Sequence, residues 1–115
     1  MVASVTNLGR SGLYDWVVQR LTAVILALYT LFLLGFVIAS PDLQYAEWQG
    51  LFAQTWMKVF SLATLISICA HAWVGMWTIS TDYLKAAAVR FTFQLVTAAF
   101  LFAYLVWAID ILWSV

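Results

Sequence analysis

Between Lys58 and Asp82 the chain reads VFSLATLISICAHAWVGMWTIST (residues 59–81), a run with no formal charge. An α-helix advances about 1.5 Å per residue, so roughly 20 such residues cross the hydrocarbon core of a bilayer. Two further charge-free runs of that length flank it. One extends from Leu21 to Ala39 and stops at Ser40-Pro41-Asp42, and the other extends from Phe91, just after Arg90, to Ile109, just before Asp110. Three runs at this spacing predict an all-α integral membrane protein. Its transmembrane helices are expected at about 17–39, 57–81 and 90–112, within one membrane domain covering 1–115. The short alternating segments of a transmembrane β-barrel are absent.

Composition agrees. Of 115 residues, 66% are hydrophobic and 9% are charged, against about 25% charged in a soluble domain. The mean hydropathy is +1.00. Five basic and five acidic residues cancel, which leaves no basic field for nucleic acid; the partner this composition demands is membrane lipid. Cys69 is the only cysteine, so no internal disulfide or multi-cysteine zinc site can form, and a thiol in an apolar run is expected to act as a small packing group. The first twenty residues hold Arg10, Asp15 and Arg20 and lack the apolar core of a signal peptide. The first apolar run is therefore expected to be a retained helix.

The segment from Asp42 to Met57 mixes Glu47 and three glutamines with Tyr45, Trp48 and Trp56, which suits a short element in the headgroup region. Asp82 to Arg90 is a tight connection and predicts that the second and third spans are antiparallel neighbours. Arg10, Arg20, Lys85 and Arg90 fall on one side of the three spans and only Lys58 on the other. By the positive-inside rule the N-terminus is cytoplasmic and the C-terminus lies outside, in a bacterium the periplasm.

His71 is the only histidine and is expected at the midplane of the second span, where an ionisable side chain is costly and faces a partner or a cavity. At 100° per residue Thr64, Ser67, His71, Gly75, Thr78 and Asp82 fall close to one line along the helix. A small-and-polar stripe is a helix-packing face on one reading. On the other, Gly75, one turn from His71, leaves room for a flat macrocycle. Geometry alone weights the two evenly. A haem held by two histidines could not be completed by this chain, so a haem reading is also a partner reading. Asp82 and Tyr83 follow at the cytoplasmic interface, about 16 Å along the axis if the helix continues. As a carboxylate and a phenol they could exchange protons beside a lipid-soluble substrate, or simply end a helix and join an aromatic belt. Arg20 reads as a positive-inside anchor or as the partner of an anionic group such as a haem propionate. Trp77 fits the aromatic belt, and Trp73, deeper, suits packing against another helix or a cofactor.

The run from His71 to Tyr83, with Trp73, Gly75, Met76, Trp77 and the closing Asp82-Tyr83, resembles the haem-ligating second helix of a known family. That family is the hydrophobic membrane anchor subunit of bacterial succinate dehydrogenase, the smaller of the two cytochrome b556 subunits. The opening Leu8-Gly9-Arg10-Ser11-Gly12, with Asp15 and Arg20, agrees as well, and the resemblance covers essentially the whole chain. It implies that His71 is one axial ligand of a haem b iron, the other being a histidine of the larger cytochrome b556 anchor subunit. It implies that Tyr83 hydrogen-bonds a ubiquinone carbonyl, with Asp82 beside it in the proton supply, and that Arg20 contacts a haem propionate. It further implies that the anchor pair docks an iron–sulfur subunit and a flavoprotein subunit on the cytoplasmic face of the bacterial inner membrane. The chain would then be a non-catalytic subunit of a succinate:ubiquinone oxidoreductase. Relatives carry a histidine near the start where this sequence has Tyr14, which puts that residue's role in doubt here. A haem-free assembly anchor and the matching subunit of a fumarate reductase are the alternatives. A small proton-coupled transporter is disfavoured, because the first two spans have no carboxylate between their ends.

Overall fold

The computed structural model describes residues 12–115, and every regular element among them is a helix. Helix α1 spans Gly12–Ala39, α2 Tyr45–Ala53, α3 Thr55–Tyr83 and α4 Ala87–Trp113. Helices α1, α3 and α4 are long and apolar enough to cross a membrane, as the three runs predict. The short α2 occupies the segment expected at the headgroups.

Each long helix overshoots its apolar run. Helix α1 begins at Gly12 rather than near residue 17, α3 ends at Tyr83 rather than 81, and α4 begins at Ala87 rather than 90. Hydropathy marks where lipid contact starts, whereas backbone hydrogen bonding continues through any residues that tolerate a helix. Asp15, Gln19 and Arg20 do so, and Ala86-Ala87-Ala88 favours it strongly. The stops have local causes. Pro41 disfavours helical geometry at Ser40, and Gln54, extended at φ −70° and ψ 134°, separates α2 from α3. The link between α3 and α4 shrinks to three residues, with Leu84 extended and its N–H closing on the Ser80 carbonyl.

Helix α3 is the central element. It packs against α1 on one side and α4 on the other, while α1 and α4 scarcely meet. Cross-helix hydrogen bonds fix the register. Thr22 meets His71 and Tyr29 meets Ser61 between α1 and α3; Gln94 meets Ser80 and Cys69 meets Leu101 between α3 and α4. Rising numbers pair with falling ones in each case, so both contacts are antiparallel, as expected for α3 and α4.

Burial is inverted relative to a soluble bundle. Among the described residues the only buried hydrophobics are Met57, Val74 and Leu112, whereas Asp15, Thr22, Ser61, Thr64, Ser67, Ser80 and Gln94 are buried polar residues. Lipid already solvates leucine and phenylalanine, so transmembrane helices gain by close approach at small residues and by interhelical hydrogen bonds. Aromatic edges complete the α1–α3 seam. Tyr29 meets Phe60 at 4.9 Å, and Phe32 meets Phe60 at 6.0 Å and Trp56 at 5.8 Å, all edge-to-face. Trp48 ties α2 to Phe36 of α1.

Candidate functional site

The polar stripe on α3 divides into two parts. From Ser61 to His71 it is the seam against α1: Ser61, Thr64 and Ser67 are buried, and His71 is half-buried. Beyond Gly75 it is open, with Thr78 and Asp82 exposed. The helix-packing reading therefore applies to the first half, and the second half is left open. The two threonines make no demand on a neighbour, because Thr64 donates to the Phe60 carbonyl and Thr78 to the Val74 carbonyl, each at 2.9 Å. Only Ser61 and His71 reach across to α1.

His71 turns Nδ1 to the Thr22 hydroxyl at 3.0 Å, and Nε2 has no hydrogen-bond partner among the described residues. A methyl group in place of the Gly75 hydrogen would meet nothing within 4 Å. The chain thus offers an available imidazole nitrogen beside an unfilled, glycine-floored space. Those are the features a planar, nitrogen-ligated group requires, so the residues fit a haem. No other metal cluster of three or more histidine, cysteine, aspartate or glutamate side chains occurs among the described residues.

Helix α3 continues unbroken to Tyr83, which sets Asp82 about 16 Å and Tyr83 about 18 Å from His71 along the axis. Both are exposed, Tyr83 at 76%, and they stand at the end of the helix and not inside a pocket of this chain. Arg20 is closer to His71 than its place ahead of the first apolar run implies. It precedes Thr22 by two residues, so its backbone lies only about 3 Å along α1 from the level at which α1 touches His71. Its guanidinium stacks on Trp16, 4.9 Å from the ring centre. Tyr14 is half-exposed on the same helix. Leu8 to Ser11, including Arg10 of the opening motif and of the charge count, lie outside the described residues.

Trp73 and Trp77 pair at 5.7 Å and face α4. Trp73 lines a shallow groove with Ile66, Ala70, Ala98 and Leu101, and Trp77 lines a second with Arg90, Phe91 and Gln94. Cys69 is a packing residue, as expected, with Sγ 3.8 Å from the Leu101 carbonyl in the α3–α4 seam.

Three polar residues escape the sequence reading. Thr22 and Tyr29 sit in a run that reads as uniformly apolar, and their partners emerge only once the α1–α3 register is known. Gln94 was detectable: a glutamine in a transmembrane run must find a partner. It donates to Ser80 Oγ at 2.9 Å, and Ser80, fully buried, donates in turn to the Trp77 carbonyl at 3.0 Å.

A half-buried histidine thus lies on the central helix of a three-span membrane protein. The comparisons with known proteins specify the class. Residues 4–109 match the family described as succinate dehydrogenase/fumarate reductase transmembrane subunit, and the chain belongs to that family. It is 40% identical to the succinate dehydrogenase hydrophobic membrane anchor subunit of Coxiella burnetii over 95% of both chains. It is 32% identical to the subunit of the same name in Rickettsia bellii, over 87% of this chain and 78% of that one. For Rickettsia prowazekii the figures are 28%, 83% and 76%.

Proposed function

We propose that this chain is the membrane anchor and haem b-binding subunit of a bacterial succinate:ubiquinone oxidoreductase. In this reading His71 Nε2 would be the ligand that this chain offers to a haem b iron, and a histidine of the larger cytochrome b556 subunit would be the second. The observation that carries it is the His71 ring itself, with Nδ1 engaged by Thr22 and Nε2 left available beside Gly75. The chain is not an enzyme alone. It holds an iron–sulfur subunit and a flavoprotein subunit at the cytoplasmic face of the inner membrane, where the excess of lysine and arginine puts Asp82 and Tyr83.

A haem bound there supplies one-electron storage between the soluble subunits and the quinone. The protein's own residues do the rest. Arg20, near the depth of His71, offers a guanidinium to a propionate. Tyr83, on the last turn of α3, donates its phenolic hydrogen to a ubiquinone carbonyl, and Asp82 beside it accepts and returns protons at the interface. The exposure of both side chains supports this, since a quinone from the bilayer can reach them without any rearrangement of the helix. Succinate oxidation is favoured over fumarate reduction because the relatives named above are succinate dehydrogenase subunits.

Two substitutions test the reading. His71→Leu in the assembled complex should abolish the bis-histidine b-type signal in a reduced-minus-oxidised spectrum, and an unchanged signal would refute the ligand assignment. Tyr83→Phe should depress ubiquinone reduction while succinate oxidation with an artificial dye persists. Undiminished quinone turnover would remove Tyr83 from the site.

A further inference from the structure

Thr22 is buried, 7% exposed, and its hydroxyl has one hydrogen to give to three neighbouring atoms. Oγ1 lies 2.7 Å from the Val18 carbonyl, 3.2 Å from the Gln19 carbonyl and 3.0 Å from His71 Nδ1. The two carbonyls can only accept. The shortest contact, to the residue one turn back on α1, takes the hydroxyl hydrogen, in the way helical threonines commonly do. Oγ1 is then left with lone pairs facing His71, so the ring is the donor there. The distance of 3.0 Å falls at the usual N–H···O separation of about 2.9–3.0 Å.

We infer that Thr22 is a positioning residue that holds His71 in the Nδ1–H tautomer and thereby fixes both the aim and the donor strength of Nε2. A neutral imidazole carries one N–H, so assigning the proton to Nδ1 assigns the free electron pair to Nε2. Nε2 is the ring's other nitrogen, and its lone pair diverges widely from the Nδ1–H direction, so with Nδ1 turned to α1 it faces away from α1. The Nδ1–H···O bond also stops the ring from flipping about its Cβ–Cγ bond. An N–H donated to an acceptor makes the imidazole more electron-rich, an effect that outer hydrogen bonds exert on metal-bound histidines generally. A stronger donor favours ferric over ferrous iron, so the Thr22 bond lowers the haem's reduction potential. Helix α1 thereby tunes a ligand carried by α3. The inference rests on the assignment of His71 as an iron ligand and extends it to a residue that never touches the haem.

The test compares Thr22→Val, which keeps the shape and removes the hydroxyl, with Thr22→Ser, which keeps the hydroxyl, in the purified four-subunit complex. The readouts are haem content, the midpoint potential from a redox titration, and the g-value spread of the oxidised low-spin haem by electron paramagnetic resonance. Thr22→Val should shift the potential upward and alter the g-value spread, while Thr22→Ser should restore both to wild-type values. Loss of haem in Thr22→Val with retention in Thr22→Ser also supports the role, because the hydroxyl is then what the ligand needs. Wild-type potential and g-values in a haem-replete Thr22→Val complex would overturn it, as would equal loss of haem in both variants. Neither result touches the ligand assignment, which the His71→Leu spectrum decides separately.

Discussion

Replacing Tyr29 with phenylalanine removes one hydroxyl and leaves the ring to keep its edge contact with Phe60, 4.9 Å between centres. The lost group is the partner of Ser61, which lies 2.6 Å away across the α1–α3 seam and is 3% exposed. Interhelical hydrogen bonds in membrane proteins average about 0.6 kcal/mol and reach about 1.7 kcal/mol. The Tyr29–Ser61 bond belongs in the upper half of that range, because its O···O separation is near the short end of the usual 2.5–3.0 Å and water is excluded from it. The expected coupling is therefore about 1–1.7 kcal/mol, a 5- to 15-fold change in the unfolding equilibrium at about 1.4 kcal/mol per decade. A double-mutant cycle of Tyr29→Phe and Ser61→Ala isolates this pair from the aromatic packing around it. Reversible denaturation of the complex in mixed micelles, followed by tryptophan fluorescence, provides the four free energies. If the two single effects simply add, to within about 0.3 kcal/mol, the bond contributes nothing and the seam is held by packing alone.

On the α3–α4 side, Ser80→Ala should lower the thermal midpoint of the complex more than Gln94→Leu does, since only the former strands a buried amide without its acceptor; equal losses would contradict that asymmetry. Gly75→Ala should leave insertion and subunit association intact but lower the haem content, because the added Cβ meets nothing within 4 Å in this chain and would crowd only what lies beside it. Pyridine haemochrome content against subunit stoichiometry measures the difference. Arg20→Gln should reduce haem retention and Arg20→Lys should partly preserve it; full haem content in Arg20→Gln would dismiss the propionate contact. Single cysteines at Lys85 and Gln49, in a Cys69→Ala background, should react oppositely with an impermeant thiol reagent added to spheroplasts. Labelling at Gln49→Cys and protection at Lys85→Cys is the pattern the charge asymmetry predicts.

The three spans were legible because each is a long run in which one physical quantity, the absence of charge, persists for a bilayer's thickness. Helix ends were less so. Residues such as Asp15, Asp82 and Ala87 are polar or small but fully compatible with a helix, and hydropathy is silent about backbone geometry. His71 was conspicuous as the only histidine, and the stripe around it followed from the helical period. Its pairing with Thr22 was hidden, because a threonine in an apolar run carries no label for the helix it will face. The same holds for Tyr29 and Ser61, which lie thirty-two positions apart. Local pattern reveals which face of a helix is distinctive, and only the tertiary register reveals which neighbour that face meets. Gln94 was overlooked for a different reason: a single amide does not interrupt a hydropathy plateau, although it must still find a hydrogen-bond partner within the hydrocarbon.

Register also changes what the polar residues of α1 mean. The charge-free run of α4 lies between Arg90 and Asp110, and Cys69 of α3 touches its Leu101, near the middle of that run. Measured against α4, then, His71 is deep. Measured against α1, His71 meets Thr22, at the very start of the apolar run and two residues from Arg20. Both observations hold only if the N-terminal third of α1 continues well inside the depth spanned by α4. A guanidinium at bilayer-centre depth costs about 2.5–3.5 kcal/mol on insertion scales, and the Trp16 ring beneath it, at 4.9 Å, returns only about 0.5–2 kcal/mol. No carboxylate among the described residues pairs with Arg20. On the function proposed above, a haem propionate at the level of His71 would offset that cost. That cost comes from depth and charge alone. It is independent of the argument from Nε2, so haem retention in Arg20→Gln and the b-type spectrum of His71→Leu test the proposed haem from two separate sides.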